Sequence, residues 1–168
     1  MPLKGKDFER ETAALAGLCS ICGGSGRLKN GFCKNCRGKG KYGKRIPMSG
    51  SVGTMAGEPR LAGDARWDFP WLTKPIVLEC KHGYAAKNKQ AKSMVLQREW
   101  FDKHLDISKN LELYPAFAMK FKFTKEDGVS KFILIPFPTM EKILKEMENI
   151  YLEVQEYREQ TKRGVKRP

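Results

Sequence analysis

The spacing of apolar residues along the chain predicts helices and short strands in alternation. Apolar side chains recur every three or four positions in residues 4–17, 86–106 and 139–160, which is the spacing of amphipathic helices. The stripes are formed by Phe8, Thr12 and Leu15 in the first helix, by Ala91, Met94, Val95, Arg98, Phe101 and Leu105 in the second, and by Met140, Ile143, Met147, Ile150, Val154 and Tyr157 in the third. Strand-like runs occupy residues 43–50, 62–69, 75–81, 115–123 and 130–136. The run at 75–81 is almost continuously apolar, as is typical of a strand in the middle of a sheet. We therefore expect an α/β protein whose central sheet is flanked by helices.

The composition changes abruptly after the first predicted helix. Residues 18–42 are rich in glycine, cysteine and lysine, and Cys19, Cys22, Cys33 and Cys36 form two copies of Cys-x-x-Cys-x-Gly-x-Gly. Four thiolates suit tetrahedral Zn²⁺ and leave no coordination position open, so we expect a structural zinc site. The two copies resemble half of the zinc region of DnaJ-type cochaperones, without the His-Pro-Asp motif of a J domain. This pattern predicts a zinc module at 18–42, inserted into a core formed by 1–17 and 43–160, with a basic tail at 161–168.

The charge of the chain indicates a polyanionic partner. Its 168 residues include 32 basic and 19 acidic side chains, which give a net charge of +13. No apolar run approaches the roughly 20 residues that a membrane helix needs, and no secretory signal is apparent, so we expect a cytoplasmic protein (in the host, if the gene is a phage gene) without a membrane partner. The zinc module is rich in basic residues, which are Lys29, Lys34, Arg37, Lys39 and Lys41, and Lys44 follows it closely. They form either a DNA-contacting surface or simply the solvated exterior of a folding unit.

Acidic residues near the expected central strand suggest a second metal site. Glu79 and Lys81 end this strand and share a face, because strand side chains alternate, while Cys80 points to the other face. Asp64 lies upstream, after Gly63, and two converging carboxylates can hold Mg²⁺ or Mn²⁺. A lysine beside them can orient water or offset charge on a phosphate. Asp68 is the competing acid, and Asp64 is preferred because Gly63 suits a sharp entry into a strand.

With these motifs placed, the chain resembles the archaeal-type Holliday junction resolvases of the PD-(D/E)XK nuclease superfamily. The segments that carry the resemblance occur in the order of the family, at residues 4–11, 45–51, 63–64, 78–81, 115–122 and 132–136. The resemblance implies a restriction-endonuclease-like fold with a mixed sheet. The zinc module, the length of the segment 51–62 and the C-terminal helix depart from the family pattern. The apolar stripe of that helix is interpreted as a packing surface, either for the core or for a partner subunit.

The resemblance also implies roles for individual residues. Glu9, rather than its neighbour Glu11, would join Asp64 and Glu79 around Mg²⁺, and Lys81 would serve the attacking water. Ser49 or Ser51 would lie by the scissile phosphate. Further residues are candidate DNA contacts: Arg10, Arg45 and Ser51 by resemblance, and Lys87 and Lys89 because they open the helix that follows the active strand.

The expected function is therefore a metal-dependent, structure-selective DNA endonuclease. By resemblance it would act as a homodimer and resolve four-way junctions by paired phosphodiester hydrolysis. Two other interpretations remain open. One is a sequence-specific or nicking endonuclease of the same fold, and the other is a non-catalytic zinc-ribbon DNA-binding protein.

Overall fold

The computed structural model describes residues 4–46, 62–82, 96–120 and 131–162. In these ranges the chain forms helices and strands in the following order: α1 (Lys4–Ala14), β1 (Arg27–Leu28), β2 (Gly31–Phe32), β3 (Gly43–Arg45), β4 (Ala65–Trp67), β5 (Ile76–His82), α2 (Arg98–Asn110), β6 (Tyr114–Lys120), β7 (Lys131–Leu134) and α3 (Phe137–Lys162). No helix in the described ranges combines the length and the apolar content needed to cross a bilayer.

A five-stranded mixed sheet forms the centre of the fold, in the order β3-β4-β5-β6-β7. Strands β5 and β6 are parallel, and the other neighbouring pairs are antiparallel. A parallel pair needs a crossover connection, and α2 lies in the connection between β5 and β6. The apolar run at 75–81 thus forms the middle strand, as its composition predicts, and Val77 and Leu78 are completely buried.

Helices pack on both faces of this sheet. Phe8 and Ala13 of α1 and Ile143 of α3 join a core cluster with Leu78 and Ala116 on one face. On the other face, the α2 residue Phe101 packs against Phe117, with ring centroids 4.2 Å apart. The buried α2 residue His104 places Nε2 3.3 Å from the carbonyl oxygen of Val77. Alternate residues of β5 therefore face different helices, and Glu79, two positions after Val77, faces the α2 side.

The first helix is shorter than its apolar spacing predicts. Leu15, expected on the buried stripe with Phe8 and Thr12, is 54% exposed, whereas Phe8 and Thr12 are buried. Helix α1 ends at Ala14, and Gly17 adopts a left-handed conformation with its amide donating to the carbonyl of Ala14. The chain turns at Gly17 into the cysteine-rich residues 18–42, called the cysteine module below, and Leu15 is left exposed.

The second helix differs most from its prediction. Residues 86–95 of the expected helix 86–106 lie outside the described ranges, and the described helix runs from Arg98 to Asn110. Its buried residues are His104 and Ser108, whereas Arg98, which was expected on the buried side, pairs with Asp102 at the surface. Helix α3 is slightly longer than predicted at both ends, and its last turn includes Lys162.

Candidate functional site

The four paired cysteines converge in one small cluster. The Sγ atoms of Cys19 and Cys33 lie 3.8 Å apart, and those of Cys22 and Cys36 lie 3.7 Å apart. A tetrahedral zinc site with Zn–S bonds of about 2.3 Å has edges of roughly 3.8 Å, whereas a disulfide holds its sulfurs at about 2.0 Å. All four Sγ atoms lie within 4.8 Å of one another. The cluster could therefore hold a metal ion such as zinc.

The two halves of this cluster are related by an approximate two-fold repeat. The amide of Gly26 donates to Sγ of Cys22, and the amide of Gly40 donates to Sγ of Cys36, at 3.3 and 3.2 Å. Both glycines have left-handed backbones, with φ of 72° and 73°. A Cβ atom on Gly26 would lie 2.2 Å from the carbonyl oxygen of Gly38, and one on Gly40 would lie 2.1 Å from that of Gly24. Each half thus forms part of the wall of the other, and only glycine fits at these two positions.

Hydrogen bonds and aromatic packing connect the cluster to the core. Asn35 donates from Nδ2 to Sγ of Cys19 at 3.3 Å and to the hydroxyl of Tyr42 at 2.8 Å. Burial opposes ionisation of Cys19, but hydrogen bonds from Asn35, Tyr42 and two backbone amides outweigh it and lower the pKa of this thiol to about 5. The ring of Tyr42 packs against Phe69 and Trp71, with centroid distances of 5.6 and 5.3 Å. The module is therefore attached to the residues that follow β4.

Asp64 enters the sheet directly beside Glu79. Gly63 precedes it with φ of 70°, and a Cβ atom there would lie 2.3 Å from Cγ2 of Val77. The Asp64 amide donates to the carbonyl of Leu78, and its Oδ2 accepts from the Cys80 amide, each at 2.8 Å. In the β4–β5 pairing, Asp64 and Glu79 come one residue beyond the last registered pair, Ala65 and Leu78. The two carboxylates therefore lie at the same place on the sheet.

Lys81 is engaged with Glu79 at this end of β5. Lys81 Nζ donates to Oε1 of Glu79 at 2.7 Å, and the ammonium lies 4.8 Å from the centre of the Trp100 ring. The side chain of Glu79 is 29% exposed and that of Lys81 is 13% exposed. Burial, followed by the negative charge of Asp64, raises the pKa of Glu79, while Lys81 and Lys103 partly oppose the rise. Negative charge is therefore concentrated here at a partly desolvated position.

Glu9 lies on the α1 side of the sheet and is held there by Arg45. Burial raises the pKa of the Cys80 thiol to about 12, a Thr12 hydrogen bond opposes the rise, and the charges of Asp64, Glu9 and Glu79 add to it. The charges of all three expected carboxylates thus act on this thiol, but Cys80 and Glu9 lie on the α1 side of β5, whereas Glu79 faces α2. However, Arg45 donates from Nε to Oε2 of Glu9. In the part of the chain that the structure describes, the cysteines are the one group of three or more possible ligands whose donor atoms lie within 4.8 Å of one another.

The remaining candidates have different surroundings. Arg10 pairs with Asp7 at 3.0 Å on the exposed side of α1. Glu11, the neighbour that might be confused with Glu9, pairs with Lys120 at 2.9 Å and Lys131 at 3.1 Å instead. The other four candidates lie outside the described residues, namely Ser49, Ser51, Lys87 and Lys89.

Asp68, the competitor of Asp64, lies in a basic environment away from Glu79. It accepts a hydrogen bond from Nε of Arg66 at 2.6 Å and lies 3.5 and 4.0 Å from the ammonium groups of Lys39 and Lys44. Burial alone would raise the pKa of Asp68, but these three cations, led by Arg66, lower it.

Sequence reasoning missed Trp100 and Lys103 as neighbours of the acidic site. Both lie on the face of α2 that also carries His104, and the stripe inferred from the sequence was centred on Arg98, Phe101 and Leu105. The signal available in the sequence was that Trp100 and His104 are both aromatic and lie four residues apart, a spacing that places them on one face of a helix.

Comparison with models of protein families, with curated proteins and with solved structures finds no match to this chain. The geometry described above is therefore the basis for a functional interpretation.

Proposed function

We propose that this protein is a metal-dependent, structure-selective DNA endonuclease that resolves four-way junctions by paired phosphodiester hydrolysis. The observation that carries the proposal is the position of Asp64, immediately before β4, beside Glu79 of β5, with Lys81 bonded to Glu79. An acid pair beside a buried lysine on a central strand suits phosphodiester hydrolysis. The net charge of +13 suits a polyanionic substrate.

The donor set at this site fits a hard divalent cation. Asp64 and Glu79 offer carboxylate oxygens, which Mg²⁺ and Mn²⁺ prefer. Burial and then repulsion by Asp64 raise the pKa of Glu79, and a bound cation would offset both effects. A divalent ion held there would supply Lewis-acid stabilisation to a phosphate. Lys81 is placed to offset negative charge that develops on the phosphate or to orient the attacking water. By resemblance, Glu9 would complete the acid set, and in the structure Arg45 holds it on the α1 side of the sheet.

The proposal includes a homodimer formed through α3. The helix presents apolar side chains at alternating steps of four and three residues, and all of them are exposed: Met140, Leu144, Met147, Tyr151 and Val154. This spacing is the heptad seam by which two helices pack together. A symmetric dimer with two active sites matches a four-way junction, since both have an approximate two-fold axis.

The test is incubation of the metal-loaded protein with a labelled four-way junction and Mg²⁺, with a linear duplex of the same sequence as the control. We expect cleavage of the junction in preference to the duplex. The Glu79→Gln variant should lose cleavage by about a hundredfold or more while it still binds the junction, because the ligand charge is removed and the shape is kept. Glu156→Gln, an exposed change on α3, should cleave like the wild type.

The same assay separates the alternatives. Equal or sequence-dependent cutting of the duplex would favour the sequence-specific or nicking endonuclease. Tight junction binding without cleavage in either Mg²⁺ or Mn²⁺ would favour the non-catalytic DNA-binding protein. One observation supports this non-catalytic candidate: among the described residues, the cysteines are the one close group of three or more possible metal ligands, and they leave no coordination position open. Unchanged cleavage by Glu79→Gln would place the active site elsewhere.

A further inference from the structure

A basic cleft of about 490 Å³ separates the cysteine module from the outer strands of the sheet. Its lining residues include six cationic side chains, namely Lys34, Arg37, Lys39, Lys41, Lys44 and Arg66. Asp68 is the one acidic residue among the described residues that line it. Six cations against one carboxylate leave an excess of five positive charges. A concave surface of this charge suits a chain of phosphates.

Asp68 lies among three of the cations that line the cleft. Asp68 accepts from Arg66 at 2.6 Å and also holds the ammonium groups of Lys39 and Lys44 within 4.0 Å. Arg66 is only 17% exposed at its side chain, so its guanidinium loses little freedom when it binds an anion. Asp68 thus contacts three cations, and its single negative charge leaves two of their positive charges unbalanced.

The two walls of the cleft are also fixed relative to each other. The Asp68 amide donates to the carbonyl of Tyr42 at 2.8 Å, and the Tyr42 ring packs against Phe69 and Trp71. Lys39 on the module and Lys44 on β3 are joined through Asp68. A ligand that enters the cleft therefore meets a preorganised surface, which lowers the entropic cost of binding.

The strand register connects the cleft to the acidic site. Lys44 pairs with Arg66, and Arg66 pairs with Val77, so these side chains form one row on one face of the sheet. Glu79 lies on the same face of β5, two residues beyond Val77, at a distance of about 7 Å along the strand. Asp64, immediately before β4, precedes Arg66 by two residues and shares its face of the sheet. Because Val77 is completely buried, the connection between the cleft and the acidic pair runs along β4, from Arg66 to Asp64.

We infer that this cleft binds the phosphate backbone of DNA and directs one strand toward Asp64 and Glu79. The cysteine module is then one wall of the DNA-binding surface in addition to being a folding unit. DNA binding by the cleft does not require that the protein cleave DNA. Guidance of the strand toward Asp64 and Glu79 rests on the proposed nuclease function. Lysine and arginine contacts to phosphate carry no base information, so the cleft should bind independently of sequence.

Two double variants of equal charge test this inference. Lys34→Gln with Lys41→Gln removes two charges from the cleft. Arg27→Gln with Lys29→Gln removes two charges from β1 and the adjoining turn of the same module, at positions that do not line the cleft. Metal content and thermal unfolding should match the wild type in both, because all four side chains are exposed.

Binding of a fluorescent four-way junction is measured by anisotropy over a series of salt concentrations, without Mg²⁺ so that the DNA stays intact. The cleft variant should bind at least tenfold more weakly than the control variant at low salt. Its slope of log affinity against log salt should be smaller than that of the wild type by about two, since each phosphate contact contributes about 0.9. The control variant should change the slope by less than one.

Equal losses of affinity in the two variants would show that only total charge matters and would overturn the cleft assignment. No loss in either variant would overturn it as well. The outcome does not depend on cleavage, so the two proposals fail separately. If the cleft variant binds more weakly than the control variant but the wild type cuts no junction, the nuclease proposal is rejected and the cleft remains. If the wild type cuts the junction but the two variants bind it equally well, the cleft is rejected and the nuclease proposal remains.

Discussion

Lys81 is the side chain that determines the electrostatic state of the acidic site. It is nearly buried, bonds to Glu79 and lies over the Trp100 ring. Burial and the nearby Asp64 raise the pKa of Glu79, and Lys81 is the largest of the opposing influences. Glu79 must be ionised to bind a cation, so the pH range in which the site works depends on this lysine.

Replacement of Lys81 by methionine should raise the pKa of Glu79 further. The substitution removes a hydrogen bond and a positive charge but keeps most of the bulk and the burial. The pKa, measured by NMR from the carboxyl ¹³C shift, should lie above 4.5 in the wild type and higher still in Lys81→Met. Because the folded value exceeds the unfolded one, the stability linked to Glu79 is greatest below pH 4.5 and declines as the pH rises through the folded pKa.

Lys120→Met is the matched control for this measurement. Lys120 bonds to Glu11 and is the largest cause of the lowered pKa of that carboxyl. Its loss should raise the pKa of Glu11 and leave Glu79 unchanged. A Glu79 carboxyl that titrates identically in the wild type and in Lys81→Met would contradict the described contact.

Among the elements, α3 has the most exposed apolar surface. Tyr151 is 61% exposed, and Leu144 and Met147 are about half exposed. The helix is attached to the sheet near its N-terminal end by Ile143 in the core and by Glu146, which accepts hydrogen bonds from Thr73 and Tyr114. Of the stripe that the sequence predicts on this helix, Ile143 is buried in the core. Other members are exposed, so much of the stripe does not cover the core of the same chain, namely Met140, Met147, Val154 and Tyr157.

Leu144→Glu should convert the proposed dimer to a monomer. An unpaired charge in a helix seam and the loss of the leucine contact together cost about 3 kcal/mol, which weakens association roughly a hundredfold. Sedimentation equilibrium measures the change. Asn149→Glu alters the net charge equally on the opposite side of the helix and should leave association intact. A wild-type chain that sediments as a monomer would reject this interface.

Sequence periodicity located elements better than it located their ends. The middle strand β5 was predictable because a strand buried on both faces is apolar throughout. The buried face of α2 was predicted in part, because Phe101 packs on the sheet as its spacing predicts, whereas Arg98 fits the same helical stripe but pairs with Asp102 at the surface. His104 and Ser108 are polar, so a search for apolar spacing could not select them.

At the scale of the whole molecule, the cysteine cluster could be predicted from the sequence, whereas the basic cleft could not. The cysteine cluster was predictable because all its ligands lie within one short repeat. The contact between Glu9 and Arg45 spans 36 positions, and that between Lys39 and Asp68 spans 29, and neither follows from local spacing. The basic cleft arises only when the module folds back against β3 and β4. The tertiary arrangement that creates it has no local pattern in the sequence.

Metal removal should distinguish the cysteine cluster from the fifth cysteine. We expect one zinc per chain, measured by elemental analysis, and loss of that zinc in Cys22→Ser, because a three-thiolate site binds it far more weakly. Chelation should lower the melting temperature of the wild type, since metal binding to the folded module contributes to its stability.

Cys80→Ser is the matched control, because Cys80 lies on β5 outside the cluster. It should keep the full zinc content. Zinc retained by Cys22→Ser, or lost by Cys80→Ser, would contradict the assignment of the cluster.

The reciprocal contact at Gly26 and Gly40 has a consequence for the evolution of the module. The module consists of two copies of one short sequence, but each copy packs directly against a backbone carbonyl of the other. A methyl group at either glycine would therefore disrupt both copies. The two copies form one folding unit, so we expect them to be retained or lost together in evolution.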